Sequence, residues 1–519
     1  MQIQDQSATI AFLADPANHG GAPVQRISTH ISEVFLTGDR AFKLKKAVRL
    51  PYADFSTPDL RCAACQRELA LNGPGAPGLY LGLRRLTRAA QGGLEWDGPG
   101  AQVDCVVGMA RFDDDALLSQ MAQAGRLDLS LMPDLAAGIA RFHASAAPVD
   151  DPQGAARVAG VLTINEAGFA TSDVLPAAGV AALNATFRAA LDRHAPALDA
   201  RAAAGFVRRC HGDLHLRNLC MWQGQVRLFD CLEFNEDLAT TDTLYDLAFL
   251  LMDLWDSGLP RHANLAANRY LDATRIPPQA EAGWALLPFF MALRAAVRAH
   301  VTATQAEGAR GSDAFAGLAR QARRYFDLAR ALLGAGPGRV VALGGLSGSG
   351  KTTLAGALAP SVAPPPGARV LESDRLRKAM FDTPAGQHLP DSAYRPQVSA
   401  RVYADLAARV GVLAAAGAPV IAAAVNDRAA DRAALAQAAG ARRFDGVWLG
   451  AGADVLHRHL RDRAGSASDA TAAVLAAQLA RFTGPPRDWH SIDTSGSVAQ
   501  SLDQIRRVLG LAPGTDGGR

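Results

Sequence analysis

The stretch Gly345-Leu346-Ser347-Gly348-Ser349-Gly350-Lys351-Thr352 follows the pattern G-x-x-x-x-G-K-[ST] at every fixed position. The apolar run 340–343 before it is typical of a buried strand, and 353–358 after it is typical of a helix. In that context, glycines let backbone N–H groups surround phosphate oxygens, and the helix N-terminus favours negative charge. A glycine-rich turn that matches by chance would not require the flanking strand and helix. The sequence therefore predicts a nucleotide-phosphate site, with Thr352 also holding Mg²⁺, formed by Gly345, Gly348, Ser349, Gly350, Lys351, Thr352 and Thr353.

The length and composition indicate a globular protein with several domains. A chain of 519 residues predicts roughly two to four domains, and 49% apolar with 20% charged residues is enough for large cores. The net charge of +3 is small for this length and predicts no nucleic-acid or membrane partner. The N-terminus lacks a basic segment followed by an apolar run, and no apolar stretch is expected to span a bilayer. We therefore expect a cytoplasmic protein.

The six cysteines do not indicate a disulfide framework in a chain of this length. Cys62 and Cys65 have C-x-x-C spacing, but no second pair supplies the other two ligands of a zinc site. Both fall in a segment with helical periodicity. We expect core or surface thiols here rather than a metal or redox site.

A second informative stretch carries a His, an Asp and an Asn at fixed offsets. His211-Gly212-Asp213 precedes Asn218, and the apolar strand that follows ends at Asp230. This layout is typical of a phosphoryl-transfer site, in which one Asp accepts the proton of the substrate hydroxyl while the Asn and the second Asp hold Mg²⁺. A polar turn beside a hairpin is the alternative, and it would not require all these parts in register. We predict Asp213 as the catalytic base, with Asn218 and Asp230 as metal ligands.

The segment 29–48 is predicted to form a strand, a turn and a strand. Lys43 and Lys45 alternate on the second strand and share one face, so the pattern alone does not say whether either has a task. A helix is predicted over roughly 57–72, and it carries Glu68.

Residues 29 to about 330 resemble the aminoglycoside phosphotransferase and choline kinase family, which are relatives of the protein kinases. The resemblance lies in the H-G-D-x-x-x-x-N loop, matched by His211 to Asn218, and in the later acid, matched by Asp230. It implies a protein-kinase-like α+β fold and an ATP site in which Lys43 steadies the phosphates and Glu68 is its partner. Lys45 is an equally placed rival for that role. Asp246 corresponds to the acid that braces the catalytic loop. No G-x-G-x-x-G loop is present over the phosphates.

Alternating strands and helices after residue 338 predict an α/β domain with a parallel sheet, whose ligands bind at the carboxyl edge. This part is similar to the small P-loop kinases of the gluconate- and adenylate-kinase-like group. That resemblance implies that Asp374, after the second strand, faces the acceptor hydroxyl. A role for Asp374 as a helix N-cap is the alternative.

The same resemblance implies that arginines after the fourth strand close over the phosphates. The candidates are Arg458, Arg461 and Arg463, and a solvated helix face is the alternative reading of them. One departure from the group stands out: the third strand, 420–425, has alanines where an Mg²⁺-binding acid is often found, and Asp427 comes later. Metal binding there would then rest on Thr352, Asp374 and water.

Together these features predict a kinase-like domain over 1–333, a Gly/Pro linker over 334–338 and a P-loop kinase or NTPase domain over 339–519. The predicted activity is transfer of phosphate from Mg-ATP to small hydroxylated molecules at two separate ATP sites. The alternative is a regulatory or scaffold protein in which one domain, the P-loop domain in particular, binds or slowly hydrolyses ATP without an acceptor. Low aromatic content and small net charge argue against a nucleic-acid end kinase. The sequence predicts neither acceptor, nor the oligomeric state.

Overall fold

The computed structural model describes residues 4–50, 53–462 and 468–512. Contacts divide the chain into two compact units. The first unit comprises Met1–Asp151 and Ala202–Leu250, and the second comprises Pro152–Arg201 and Leu251–Arg519. Helices that precede the predicted linker thus belong to the same compact unit as the residues after it. The boundary at 334–338 stays a prediction.

Within the described residues, the α-helices are α1 Ser7–Ala14, α2 Pro58–Asn72, α3 Leu118–Gln123, α4 Met132–Ser145, α5 Gly154–Phe169, α6 Ala177–Ala203, α7 Glu236–Ala239, α8 Thr243–Asp256, α9 Pro260–Thr274, α10 Leu287–Gly308, α11 Ala314–Leu333, α12 Lys351–Leu358, α13 Ser373–Met380, α14 Pro396–Ala416, α15 Ala429–Ala438, α16 Ala453–Arg461, α17 Ala472–Arg481 and α18 Val498–Leu509. The strands are β1 Val24–Ser28, β2 Ser32–Thr37, β3 Arg40–Lys45, β4 Arg49–Leu50, β5 Ala53–Asp54, β6 Tyr80–Arg88, β7 Leu94–Trp96, β8 Gln102–Ala110, β9 Val207–Arg209, β10 Leu219–Trp222, β11 Gln225–Leu228, β12 Thr240–Asp242, β13 Val340–Gly344, β14 Arg369–Glu372, β15 Val420–Ala423, β16 Phe444–Gly450 and β17 His490–Asp493.

The first unit is built on a six-stranded antiparallel sheet with the order β1-β2-β3-β8-β6-β7. Helix α2 packs on this sheet. It begins after Thr57, whose hydroxyl accepts the N–H of Leu60 at 3.3 Å, and Pro58 occupies the first turn, where a missing N–H costs nothing. Its inward face carries Cys62, Cys65 and Glu68. The strand-turn-strand and the helix predicted in this region are present.

The cysteine prediction was wrong for Cys62. Cys62 on α2 forms a disulfide with Cys105 on β8, whereas Cys65 is a buried free thiol, as expected. Sequence spacing pointed to Cys65 as the neighbour of interest. The actual partner of Cys62 is 43 residues away in the sequence, and the packing of α2 across β8 brings the two cysteines together.

The second unit contains a five-stranded parallel sheet with the order β14-β15-β13-β16-β17. The central strand β13 is buried along its whole length, as expected for a parallel strand covered on both faces. Because the strands run parallel, the ends of β13, β14 and β15 meet at one edge of the sheet. The core includes Val341, Leu343, Leu354, Leu358, Ile421, Val447, Leu449, Ile492, Leu502 and Ile505.

The second unit also contains helices from before the P-loop, of which α10 and α11 pack closely together. The expectation that no segment could span a membrane needs correction for one of them. The helical span Pro278–Gly308 is long and apolar enough by length and composition. However, 78% of its most apolar window is buried inside the structure, which is where the core helix of a globular protein lies.

Candidate active sites

The loop after β9 is held in place by the carboxylate of Asp246 on α8. Asp246 accepts the backbone N–H groups of His211 at 3.2 Å and Gly212 at 2.8 Å. Gly212 has φ +83°, and a Cβ there would lie 2.8 Å from the Cβ of Leu232, so only glycine fits. His143 Nε2 lies 3.0 Å from the same carboxylate. The loop backbone is therefore anchored by a buried acid.

His211 links this loop to the strand that carries the next acid. Its Nε2 lies 2.9 Å from the carbonyl oxygen of Phe229, and its Nδ1 accepts the N–H of Asp213 at 3.4 Å. This arrangement requires a proton on Nε2 and none on Nδ1. Burial lowers the pKa of His211, which favours the same neutral form. His211 therefore serves to join the loop to residue 229, next to Asp230.

Asp213 and Asn218 lie against each other. The Asn218 side-chain amide donates to the Asp213 carbonyl at 2.9 Å and to Asp213 Oδ2 at 3.0 Å. The Asn218 amide is buried, while the Asp213 carboxylate is partly exposed. Asn218 also accepts the Phe229 N–H through its own carbonyl at 3.1 Å. An exposed carboxylate with a fixed orientation is what a proton acceptor for a substrate hydroxyl requires.

Lys43, Glu68 and Asp230 meet in one ion-pair cluster. Lys43 Nζ lies 2.8 Å from Glu68 Oε1 and also pairs with Asp230. Asp230 has φ +61°, and its N–H donates to the hydroxyl of Tyr80 at 3.0 Å. Its carboxylate is 42% exposed, so oxygen atoms remain accessible beside Lys43. Three elements distant in sequence thus contribute to one accessible site.

Lys45 occupies a different place from its rival. Its side chain is fully buried, against 13% exposure for Lys43, and it pairs with Glu68 and with Glu233. Burial opposes the charge of both lysines, but the neighbouring carboxylates outweigh it and raise the pKa of each. Both therefore stay charged. Lys43 is accessible beside Asp230, whereas Lys45 sits deeper, between α2 and the segment after Asp230.

The phosphate loop of the second unit connects β13 to α12, as its sequence predicts. Gly348 has φ +84°, and a Cβ there would lie 2.5 Å from the carbonyl oxygen of Leu456, so another residue would be strained and crowded. Lys351 Nζ donates to the carbonyls of Gly345 at 2.7 Å and Leu346 at 3.0 Å. The loop therefore curls around its own lysine.

A cavity of about 1330 Å³ opens beside this loop. Gly345, at the start of the loop, does not line the cavity. Asp374 reaches the cavity from the first turn of α13, where the N-cap position is occupied by Glu372 instead. The predicted residues that line the cavity are Gly348, Ser349, Gly350, Lys351, Thr352, Thr353 and Asp374.

The arginines predicted to close over this site take another position. Arg458 and Arg461 lie in the last turn of α16 and are exposed, while His459 and Asp462 line the cavity. Residues 459 and 462 share one helix face, and a one-residue offset turns the arginines away from it. His459 Nδ1 lies 3.0 Å from the carbonyl oxygen of Gly348. Arg463 lies outside the described residues.

Other cavity residues were not predicted. Arg481 on α17 donates from Nε to Asp427 Oδ2 at 2.8 Å, and both line the cavity. Gln478, one turn earlier, accepts the backbone N–H of Ser347 at 2.8 Å. The i, i+3 spacing of these two polar residues in an apolar helix was a usable signal. Asp427 also brings a carboxylate to the edge where β15 lacks one.

The two sites define a chain assembled from two kinase-type parts, and comparisons with known proteins agree. A phosphotransferase enzyme family model matches residues 107–287, and an AAA domain model matches residues 340–485. Uncharacterized proteins of Mycobacterium tuberculosis and Mycobacterium bovis are 30% identical to the chain over 496 residues, covering 92% of this chain and 94% of each relative. The chain belongs to the family of these mycobacterial proteins.

Among solved structures, a sugar kinase from Janibacter sp. HTCC2649 is 25% identical, covering 34% of this chain and 97% of its own, with a TM-score of 0.26. A choline/ethanolamine kinase family protein from Mesorhizobium loti is 16% identical, covering 63% of this chain and 94% of its own, with a TM-score of 0.39. The predicted pairing of an aminoglycoside phosphotransferase-like domain with a P-loop kinase domain is confirmed, and so is the predicted fold class.

Proposed function

We propose that each kinase-type part transfers the γ-phosphoryl group of ATP to a hydroxyl group of a small molecule, at two separate ATP sites. The observation that carries the proposal for the first site is the contact of Lys43 with both Glu68 and Asp230. Such a cluster places one accessible cation beside an accessible carboxylate, which suits the phosphates of Mg-ATP.

At the first site, Asp213 is the base. Its carboxylate, oriented by Asn218, accepts the proton of the acceptor hydroxyl as that oxygen bonds to phosphorus and ADP departs. Lys43 holds the phosphates, and Glu68 holds Lys43. The oxygen atoms of Asn218 and Asp230 fit the preference of Mg²⁺ for hard ligands, so these two residues would hold the ion. When bound, Mg²⁺ neutralises phosphate charge.

At the second site, the loop around Lys351 cradles the phosphates, and Asp374 faces the acceptor. Thr352, Asp374 and Asp427 all line the cavity and offer oxygen ligands suited to Mg²⁺. The cavity of about 1330 Å³ exceeds the roughly 300–1,000 Å³ of a pocket for one small ligand. This volume supports a nucleotide and a small acceptor bound side by side.

One observation favours the regulatory alternative for the second site. The end of β15 and the residues after it, Ala422 to Val425, contain no acid. Asp427, the nearest acid after the strand, is already paired with Arg481. If that pair persists when ATP binds, this part would bind ATP without efficient transfer.

The experiment that tests the proposal is ADP release from Mg-ATP against a panel of sugars, amino alcohols, nucleosides and aminoglycosides. It uses the intact chain and the Asp213→Ala and Lys351→Ala variants. The proposal expects acceptor-dependent release that is lost in one variant and kept in the other, which assigns an acceptor to a site. ATP binding with no acceptor-dependent release from any version would favour the regulatory alternative.

A further inference from the structure

The strand that leads to Asp374 is an edge strand with an unusual neighbour. β14 pairs with β15 on one side and ends its sheet on the other. On that outer side, Asn268 of α9 accepts the Val370 N–H at 2.7 Å and donates to the Ala368 carbonyl at 3.1 Å. One side-chain amide thereby makes the two hydrogen bonds that a neighbouring strand residue would make. The open edge is closed by a helix side chain.

Further side chains from the same helical region continue this row along the loop before β14. Asn264, one turn before Asn268, donates to the carbonyls of Pro366 at 3.1 Å and Ala368 at 3.0 Å. Trp284 donates from its indole N–H to the Gly367 carbonyl at 3.0 Å. Both side chains are buried. The carbonyls of Pro366, Gly367 and Ala368 and the N–H of Val370 are therefore all paired with side chains from helices outside the sheet.

Arg369, the first residue of β14, is buried in a cage of acids from the same region. Its guanidinium donates to Glu281 at 2.9 and 3.2 Å and to Asp272 Oδ1 at 2.8 Å. Glu281 also accepts from Arg409 on α14 at 2.8 Å. A buried arginine of this kind is tolerated only when its charge is matched in place.

Asp272 extends this cage to the other side of Asp374. Its Oδ2 lies 3.8 Å from Arg375, the residue directly after Asp374, while its Oδ1 holds Arg369 before it. Burial would raise the pKa of Asp272, but Arg369, Arg269 and Arg375 outweigh it and hold the pKa below its usual value. One carboxylate on α9 thus contacts the chain on both sides of the segment that carries Asp374.

We propose that α9 and the following 3-10 helix, Pro278–Leu286, position Asp374, the acid that faces the acceptor at the second ATP site. We call Asn264, Asn268, Asp272, Glu281 and Trp284 the α9 clamp. These are positioning residues, because they hold β14 and its C-terminal end and do not line the cavity. The proposal rests on the proposed function of the second site. It means that residues matched by the phosphotransferase family model form part of the P-loop catalytic unit.

A packing role alone explains the α9 clamp less well. An apolar face over this edge would leave the Val370 N–H and the Ala368 carbonyl buried without partners, which is costly, and the buried carboxylates of the clamp are tolerated only because they are paired. In the clamp, each named side chain has a hydrogen-bond partner in β14 or in the loop before it. Hydrogen bonds are directional, so the two bonds of Asn268 fix where the start of β14 lies against α9.

The test uses the full chain carrying Asp213→Ala, so that remaining ADP release reports on the second site. Into it we would introduce Asn268→Ala, or Asp272→Asn in case the first variant does not fold. Asn165→Ala is the matched control, since Asn165 is a buried helical asparagine of the same unit that contacts His300. Readouts are kcat and KM for Mg-ATP, and amide hydrogen exchange of peptides covering 368–374 and 340–344.

We expect the clamp variants to lower kcat about tenfold or more, since misplacement by about 1 Å costs on the order of 100-fold. KM for ATP should stay within about twofold, because the phosphate loop follows the central strand β13. Exchange over 368–374 should rise about tenfold while 340–344 and the control stay unchanged. Asp272→Glu should recover part of kcat.

Faster exchange over 368–374 with unchanged kcat would overturn the positioning role, and so would unchanged exchange. If the Asp213→Ala chain itself releases no ADP, the proposed function of the second site fails. The exchange of 368–374 then decides on its own whether the clamp holds the strand.

Discussion

Replacing Lys43 and Lys45 in turn by methionine should separate catalysis from stability at the first site. The two substitutions are chemically identical and two residues apart on β3. Lys45 is fully buried and pairs with Glu68 and Glu233, so its loss leaves a buried carboxylate without a partner. Removing one member of a buried pair costs about 3–5 kcal/mol. Burial already raises the pKa of Glu233 against the effect of Lys45, so protonation of Glu233 should keep the cost near the lower limit, about 3 kcal/mol.

Lys43→Met should behave differently. Glu68 retains Lys45, and the Asp230 carboxylate is 42% exposed to water, so the loss of stability should be about 1 kcal/mol. Turnover at the first site should instead fall by about 10²–10³, the usual cost of one group that stabilises transferring charge. The assays are thermal unfolding and ADP release in a Lys351→Ala background.

A double variant sharpens this test. Adding Glu233→Gln to Lys45→Met removes the orphaned charge and should restore part of the lost stability. If Lys45→Met left the unfolding free energy unchanged while abolishing turnover, Lys45 and not Lys43 would be the phosphate ligand. If Lys43→Met were the more destabilising of the two, Lys43 rather than Lys45 would be the structural lysine, against the assignment made above.

Three further predictions concern other parts of the chain. Gly348→Ala should abolish nucleotide binding at the second site, because its Cβ would lie 2.5 Å from the Leu456 carbonyl at φ +84°; nucleotide titration checks this. Burial lowers the pKa of His300 from 6.5 to about 4, so the unfolded chain binds the proton more readily. His300 alone should therefore reduce the unfolding free energy by up to about 3 kcal/mol as the pH falls from 6.5 to about 4, and His300→Gln should lose this part of the slope in pH-dependent denaturation. Reducing the disulfide between Cys62 and Cys105 should cost about 4 kcal/mol in the chain-entropy account, measured by unfolding with and without dithiothreitol; unchanged stability would show that the thiols are already reduced. The cytoplasmic location that the sequence predicts would favour that reduced state.

The features that could be predicted from the sequence are those formed by residues close together in the chain. The phosphate loop from Gly345 to Thr352 fixes its own backbone, and the strand and helix beside it are local, so the parallel-sheet domain was predictable. His211 to Asn218 likewise forms one loop, and the structure brings it next to Asp230 through Phe229. The roles of these residues stay predictions.

The parts that sequence left open depend on contacts between distant segments. Lys43 and Lys45 share one strand face, and only the positions of Asp230 and Glu233 distinguish them. The partner of Cys62 depends on how α2 crosses β8. Arg458 and Arg461 each precede a cavity-lining residue by one position, and one position corresponds to about 100° of rotation around the helix, which is enough to direct them away from the cavity. No sequence pattern predicts the α9 clamp, because its residues and those of β14 are about 100 positions apart in the chain.

The measurement that tests the central claim most directly is a calorimetric titration of the intact chain with a non-hydrolysable ATP analogue and Mg²⁺. The account predicts two nucleotides bound per chain. It predicts one each for Lys43→Met and Gly348→Ala, and none at comparable affinity for the double variant. If the intact chain bound only one nucleotide, and each single variant bound none, the claim of two separate ATP sites would be contradicted.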